Sequence, residues 1–169
     1  MLKKFFLFII LKFKNIPKFR GKHRIFNLFS KIYYYLTHNE YLIVELKNSI
    51  KMKLSILSFE RLAIVDGDYD EKEISFIKSK LDINKEILDV GGNIGFYSII
   101  LGKHIVDKNG SGMIYTFEPH YNNYQNLKKN ISINNLDELI KNRYKALGYE
   151  KRKLPQSSMK FKNKVQDKS

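Results

Sequence analysis

The sequence predicts an α/β fold in which a short parallel sheet follows a β-hairpin and a basic, helical N-terminal region. Three observations carry that expectation. Residues 41–55 alternate apolar and polar with a period of two on either side of a polar break, which is a hairpin pattern. From residue 86 onward, short apolar runs alternate with stretches of helical character, the order that builds a parallel sheet packed against helices. Residues 1–40 hold nine Lys/Arg and one acid, with aromatic and aliphatic residues between the bases.

The 169 residues, 43% hydrophobic and 14% aromatic, suit one globular domain with an appendage. The absence of cysteine excludes disulfides, thiolate metal sites and a cysteine nucleophile, and fits a reducing, cytoplasmic setting. The four histidines, His23, His38, His104 and His120, show no metal-ligand spacing, so no metal site is expected. The net charge of +14 is uneven: residues 151–169 hold seven bases and one acid, whereas residues 41–150 hold fifteen of each. The central body is neutral, which argues against a nucleic-acid groove built into it and assigns the basicity to the two ends. The chain accordingly divides into a basic amphipathic segment at 1–40, a central domain at 41–150 and a basic tail at 151–169.

The N-terminal "MLKKFFLFIILKFKNIPKFRGKHR" resembles a signal sequence in its first residues. It lacks a small-residue cleavage site, and Lys12 and Lys14 stop the apolar run well short of the roughly 18 residues a span needs. Two readings stay open. Residues 1–36 make peripheral contact with a membrane's inner face, or Phe5, Phe6, Ile9 and Leu11 dock on the protein's own core.

In the hairpin, Leu42, Val44 and Leu46 alternate, Asn48 and Ser49 supply the turn, and Ile50, Met52 and Leu54 alternate again. In "GDYDEKEISFIKSKL", Ile74, Ile77 and Leu81 share a helical face, and Asp70, Glu71 and Glu73 cluster where a helix N-terminus favours acids. "EILDV" is then a strand, Ile94 to Leu101 an apolar helix and "GMIYTF" a second strand. "YNNYQNLKKNISIN" is a helix with Tyr124, Leu127 and Ile131 on one face, and a third strand is expected within Leu139 to Ala146. Residues 151–169, with few apolar residues among many lysines, are expected to be disordered.

Ligands of such sheets collect at the carboxyl ends of the strands. Asp89 to Gly95 is the first such end, and Glu118 closes the next strand. The glycines let the turn approach a ligand, the following helix start offers N–H groups to an anion, and an acid such as Glu118 can accept from a ribose diol. The dinucleotide pattern G-x-G-x-x-G fails, because Asn93 and Phe96 stand where it needs glycine, and a phosphate-cradling G-x-x-x-x-G-K-[ST] is absent. The pattern present is D-x-G-x-N-x-G, made by Asp89, Gly91, Asn93 and Gly95. It resembles the first motif of Rossmann-like methyltransferases that use S-adenosylmethionine.

"LDVGGNIGFYS", "GMIYTFEPHYNNYQNLKKNISIN" and "KALG" together resemble the FkbM-type methyltransferases over about Gly67 to Gly148. That resemblance implies a Rossmann-like methyltransferase sheet and an S-adenosylmethionine-dependent O-methyltransferase. Its acceptor would be a hydroxyl of a glycan or related small molecule. It also implies that Asp89, Gly91, Gly92, Asn93 and Gly95 surround the methionine end, that Glu118 holds the ribose and that the stretch around Ala146 borders the adenine. Tyr69 and Asp70 stand where the family often has Tyr-Glu near the cofactor. Gly92 replaces the family's usual alanine, a change expected to free the backbone and loosen the turn by about 0.5 to 1 kcal/mol. His120 more often lines a loop than acts as a base at such a position, so no catalytic residue is assigned.

From Asp89 only 81 residues remain, and a βαβ unit uses about 30. Without the tail there is room for three strands where the resemblance implies seven, and the family's later substrate-side segment does not occur. A truncated front half is therefore expected, with one sheet edge and part of both faces exposed unless a second chain completes them. The alternative function is a non-catalytic basic protein that holds membrane or RNA through its ends.

Overall fold

The computed structural model describes residues 4–6, 8, 9, 12, 16, 17, 19–57, 64 and 69–148. The tail expected at 151–169 lies outside the described residues. In chain order the elements are α1 (Lys22–Thr37), β1 (Tyr41–Glu45), β2 (Lys51–Ser55), α2 (Glu71–Lys80), β3 (Ile87–Val90), α3 (Phe96–Asp107), β4 (Ile114–Phe117), α4 (Tyr121–Ile133) and β5 (Ile140–Arg143).

Strands β1 and β2 form the expected antiparallel hairpin, with Tyr41 opposite Ser55 and Glu45 opposite Lys51. The period-two pattern puts Leu42, Val44, Met52 and Leu54 on one buried face. The chain reverses through a short 3-10 turn, Lys47–Ser49, in which Asn48 and Ser49 are left-handed at φ 59° and 57°. Asparagine tolerates that region better than most residues because its short amide can bond locally.

Strands β3, β4 and β5 form a parallel sheet in that order, a Rossmann-like β-α-β-α-β core. Ile87, Ile114 and Ile140 lie side by side, as do Asp89, Thr116 and Asn142. Helices α3 and α4 touch each other and both touch β5, so they cover the same face. Two successive right-handed crossovers running in one direction leave no other choice. Among the described residues the opposite face is open: Leu88 and Val90 are 60% and 58% exposed. The expectation that part of both faces would be exposed is corrected in that respect, since the α3 side is closed by Ile99 and Ile105, both fully buried.

Helix α3 begins at Phe96, two residues later than the sequence suggests, because Gly95 is left-handed (φ 90°) and cannot continue a helix. It runs on to Asp107 because its amphipathic pattern persists: Ile105 is buried while Lys103 and Asp107 pair on the outside at 3.4 Å.

The hairpin is fastened to α4 by two asparagines one turn apart. Asn130 accepts from the Lys53 N–H (2.6 Å) and donates to the Lys53 and Ile94 carbonyls (3.4 and 2.9 Å). Asn134 accepts from the Lys51 N–H (2.8 Å) and donates to the Lys51 carbonyl. Each side chain thus supplies the hydrogen bonds that a neighbouring strand would give the edge of β2.

At the N-terminus the side chains differ in burial. Phe6 is buried against Tyr33, with ring centroids 4.8 Å apart, whereas Phe5 and Phe8 are each 56% exposed. Leu11 lies outside the described residues. No helix among the described residues is long and apolar enough to cross a membrane.

Candidate functional site

The turn after β3 is held by the end of β4. The N–H groups of Gly91 and Gly92 both donate to the Phe117 carbonyl, at 2.8 and 3.0 Å. Gly91, Asn93 and Gly95 are all left-handed, with φ of 84°, 49° and 90°. The alternating G-x-N-x-G is therefore first a requirement of the backbone, because two of the three positions carry glycine and the third the residue that tolerates this region best. Gly95 has a second constraint. A Cβ there would lie 2.6 Å from Leu127 Cδ1, so its bareness lets α3 and α4 close on each other.

Gly92 works differently from the sequence expectation. A Cβ at this position would fall 2.1 Å from Thr116 Oγ1 on β4, so the glycine does not loosen the turn but makes room for the threonine hydroxyl. Gly92→Ala is expected to destabilise the fold by about 1–3 kcal/mol through overpacking. Thr116→Ala, which removes that hydroxyl, is expected to restore most of the loss in the double variant. Chemical denaturation of the four-member cycle reads the coupling, and additive costs would refute this account.

Two acids close the strand ends. Asp89 accepts from the Ser98 hydroxyl of α3 and from Thr116 Oγ1 (3.4 Å), both through Oδ2. Oδ1 takes no hydrogen bond from a described residue and remains available. Glu118 is 5% exposed and accepts from the backbone N–H groups of Asn93 (2.8 Å) and His120 (2.7 Å), one on each carboxylate oxygen. Its immediate role is to clasp the glycine turn to the loop after β4. A carboxylate has about four acceptor sites, so two directions stay unused. The Asn93 N–H, just ahead of the helix start, is thus taken up by this internal anion. The N–H of Ile94 makes no hydrogen bond to a described residue.

A cavity of about 660 Å³ opens over these strand ends. Asp89, Gly91, Gly92 and Asn93 form its floor together with Ile94, while Gly95 and Glu118 lie behind the surface. One wall is the hairpin, through Glu40, Tyr41 and Ser55, where the Ser55 hydroxyl donates to Glu40 at 2.7 Å. Another wall is the start of α4, through Asn122, Asn123 and Asn126. Tyr69 and Tyr97 complete it, with Tyr69 packed edge-on against Phe96 at 5.0 Å. Ala146 is exposed on the loop after β5 and is not part of the wall.

Asp70 turns its carboxylate to the Tyr97 hydroxyl, which donates to it at 2.7 Å. Burial, then that hydrogen bond and the nearby Asp70 charge, push the Tyr97 pKa well above the ordinary tyrosine value, so the phenol stays a donor at neutral pH. His120 also lines the cavity, and its buried Nδ1 has no hydrogen-bond partner.

Sequence reasoning missed the hairpin wall and the asparagine wall. The second had a signal, since "YNNYQN" places four side-chain amides and two phenols at a strand-to-helix junction. The first had none, because nothing in residues 40–55 indicates which loop they will face.

No protein-family model matches the chain, and no curated protein matches it. Among solved structures it is similar to the Pyrococcus horikoshii protein PH0793, assigned as a transferase, at 14% identity and a TM-score of 0.48, over 71% of this chain and 47% of that one. It is also similar to Pyrococcus horikoshii TYW2 in complex with MeSAdo, at 14% identity and a TM-score of 0.46, over the same shares. The chain therefore spans about half the length of the solved structures it matches.

Proposed function

We propose that the cavity over β3 and β4 binds S-adenosylmethionine and that the chain serves an O-methyltransferase of the FkbM type, with a glycan or related small-molecule hydroxyl as acceptor. The observation that carries this reading is the left-handed turn Gly91-Asn93-Gly95, clasped by Glu118 and forming the cavity floor beside an available carboxylate oxygen of Asp89. The residues present suit the ligand. Asp89 Oδ1 would take its ammonium, and the Ile94 N–H at the approach to α3 would take its carboxylate. His120, and behind the surface the buried Glu118 with its unused acceptor directions, stand nearest to where its nucleoside end would lie.

When bound, S-adenosylmethionine supplies a methyl group on a positively charged sulfonium. The protein's part is to align that group with an acceptor oxygen and to exclude water. In this reading Asp89, Gly91, Gly92, Asn93, Gly95 and Glu118 form the cofactor-binding set. Tyr41, Ser55 and Glu40 border the same cavity from the hairpin side.

Calorimetric titration with S-adenosylmethionine tests the proposal. Binding heat is expected for the wild-type chain. Asp89→Asn is expected to weaken affinity by about ten- to a hundredfold, the worth of one charge-assisted hydrogen bond. Absence of heat with the folded wild-type chain would overturn the reading, as would equal affinity for the variant.

A further inference from the structure

We propose that the outward face of α1 is a docking surface for an anionic lipid bilayer. This goes beyond the methyl-transfer reading and does not depend on it. Helix α1 has two apolar faces. At about 100° per residue, Phe26, Ser30 and Tyr33 fall on one side and are buried. Ile25, Leu28, Ile32, Tyr35 and Leu36 fall on another and form a continuous stripe, 40%, 58%, 41%, 78% and 53% exposed. Arg24 and Lys31 project along one border of this stripe, and both are exposed.

An exposed apolar stripe of this length is rare unless something meets it. Charge decides what. Arg24 and Lys31 border the stripe, within a segment whose sequence carries nine bases and one acid over residues 1–40, a charge complementary to an anionic partner. A second copy of the chain is disfavoured, since a two-fold pairing of like surfaces would bring the Arg24 and Lys31 side chains of both copies together. RNA is disfavoured because the middle of the stripe is aliphatic, with Ile25, Leu28 and Ile32, and offers bases no ring to stack on. Anionic headgroups above an acyl layer satisfy both features: the aliphatic side chains insert, Tyr35 sits at headgroup level, and Arg24 and Lys31 pair with phosphates.

Among the described residues, Phe6 of the first apolar run is taken into the protein's own core, and the continuous exposed apolar stripe is that of α1. Phe5 and Phe8 are also exposed, with the Lys12 ammonium over the Phe8 ring at 5.5 Å.

The test is co-sedimentation of the full chain with phosphatidylcholine vesicles, with and without phosphatidylglycerol, at low and high salt. Wild-type chain is expected to pellet with the anionic vesicles and to be released by salt. Leu28→Glu with Ile32→Glu is expected to lose at least tenfold in partitioning while keeping the wild-type circular dichroism, because both positions face outward. Arg24→Glu with Lys31→Glu is expected to remove the preference for phosphatidylglycerol. Failure of the wild-type chain to pellet would overturn the proposal, and so would pelleting of the Leu28/Ile32 variant at the wild-type level. A wild-type dimer that the Leu28/Ile32 variant converts to monomer would assign the stripe to self-association instead. Loss of RNA binding in that variant without loss of vesicle binding would assign it to nucleic acid. Calorimetry with S-adenosylmethionine is a separate readout, so either proposal can fail without the other.

Discussion

Glu118→Ala is expected to lower the free energy of unfolding by about 3 kcal/mol and to abolish ligand binding in the cavity. The carboxylate is 5% exposed and accepts from two backbone N–H groups, Asn93 at 2.8 Å and His120 at 2.7 Å. A hydrogen bond to a charged group contributes about 1.5–3 kcal/mol, and its removal strands a backbone donor next to the protein interior. Glu118→Gln is the informative control. Its amide has one oxygen, so one N–H keeps an acceptor while the other faces an NH2 group, and less than half of the loss should be recovered. Urea denaturation reads the stability, and hydrogen exchange at Asn93 reads the clasp directly. An alanine variant within about 0.5 kcal/mol of wild type, the range of an ordinary surface substitution, would show that the carboxylate does not hold the turn.

The second large effect is expected at Asn130. Its side chain is fully buried and serves three backbone groups: the Lys53 N–H, the Lys53 carbonyl and the Ile94 carbonyl. Alanine would leave all three without that partner, at a cost of about 3 kcal/mol, since each stranded buried group costs about 1–3 kcal/mol and the site can relax. Asn130→Asp is expected to be no better. It can still accept from the Lys53 N–H, but its second oxygen would face two carbonyls. The damage should be local before it is global. Amides of the hairpin, residues 41–55, should exchange at lower free energy than those of the parallel sheet. Uniform acceleration over the whole chain would show that Asn130 is a core residue like its neighbour Leu127 and not the fastening of the hairpin. Because the hairpin forms one wall of the cavity and the Ile94 carbonyl belongs to its floor, the same variant should also weaken ligand binding.

Much of the fold was legible from local pattern. The hairpin follows from apolar residues at every second position in 42–46 and 50–54, and the β-α-β-α-β order follows from apolar runs separated by helical periodicity. The turn was legible as well, but for an incomplete reason. The glycines Gly91, Gly92 and Gly95 read as allowing close approach of a ligand, and the structure adds that Gly91, Asn93 and Gly95 are left-handed, a backbone that demands those residue types with or without one. Asp89 and Glu118 were legible as strand-end acids. Their partners were not, because Ser98 and Thr116 on the one, and the Asn93 N–H on the other, are brought there by packing.

What the sequence alone determined is therefore what neighbours along the chain determine: periodicity, turn conformations and the position of acids at strand ends. The tertiary structure decided what depends on distant residues meeting. Gly92 needs its bareness because Thr116 lies across the sheet, and Lys51 is bonded by a residue 83 positions away. One sheet face is closed while Leu88 and Val90 lie open, because both crossovers run in the same direction. The α1 stripe shows the same division. Composition makes residues 1–40 basic and apolar, but only packing decides that Phe26 and Tyr33 turn inward and leave Leu28 and Ile32 outside, since burial of one helix face is settled by what it meets.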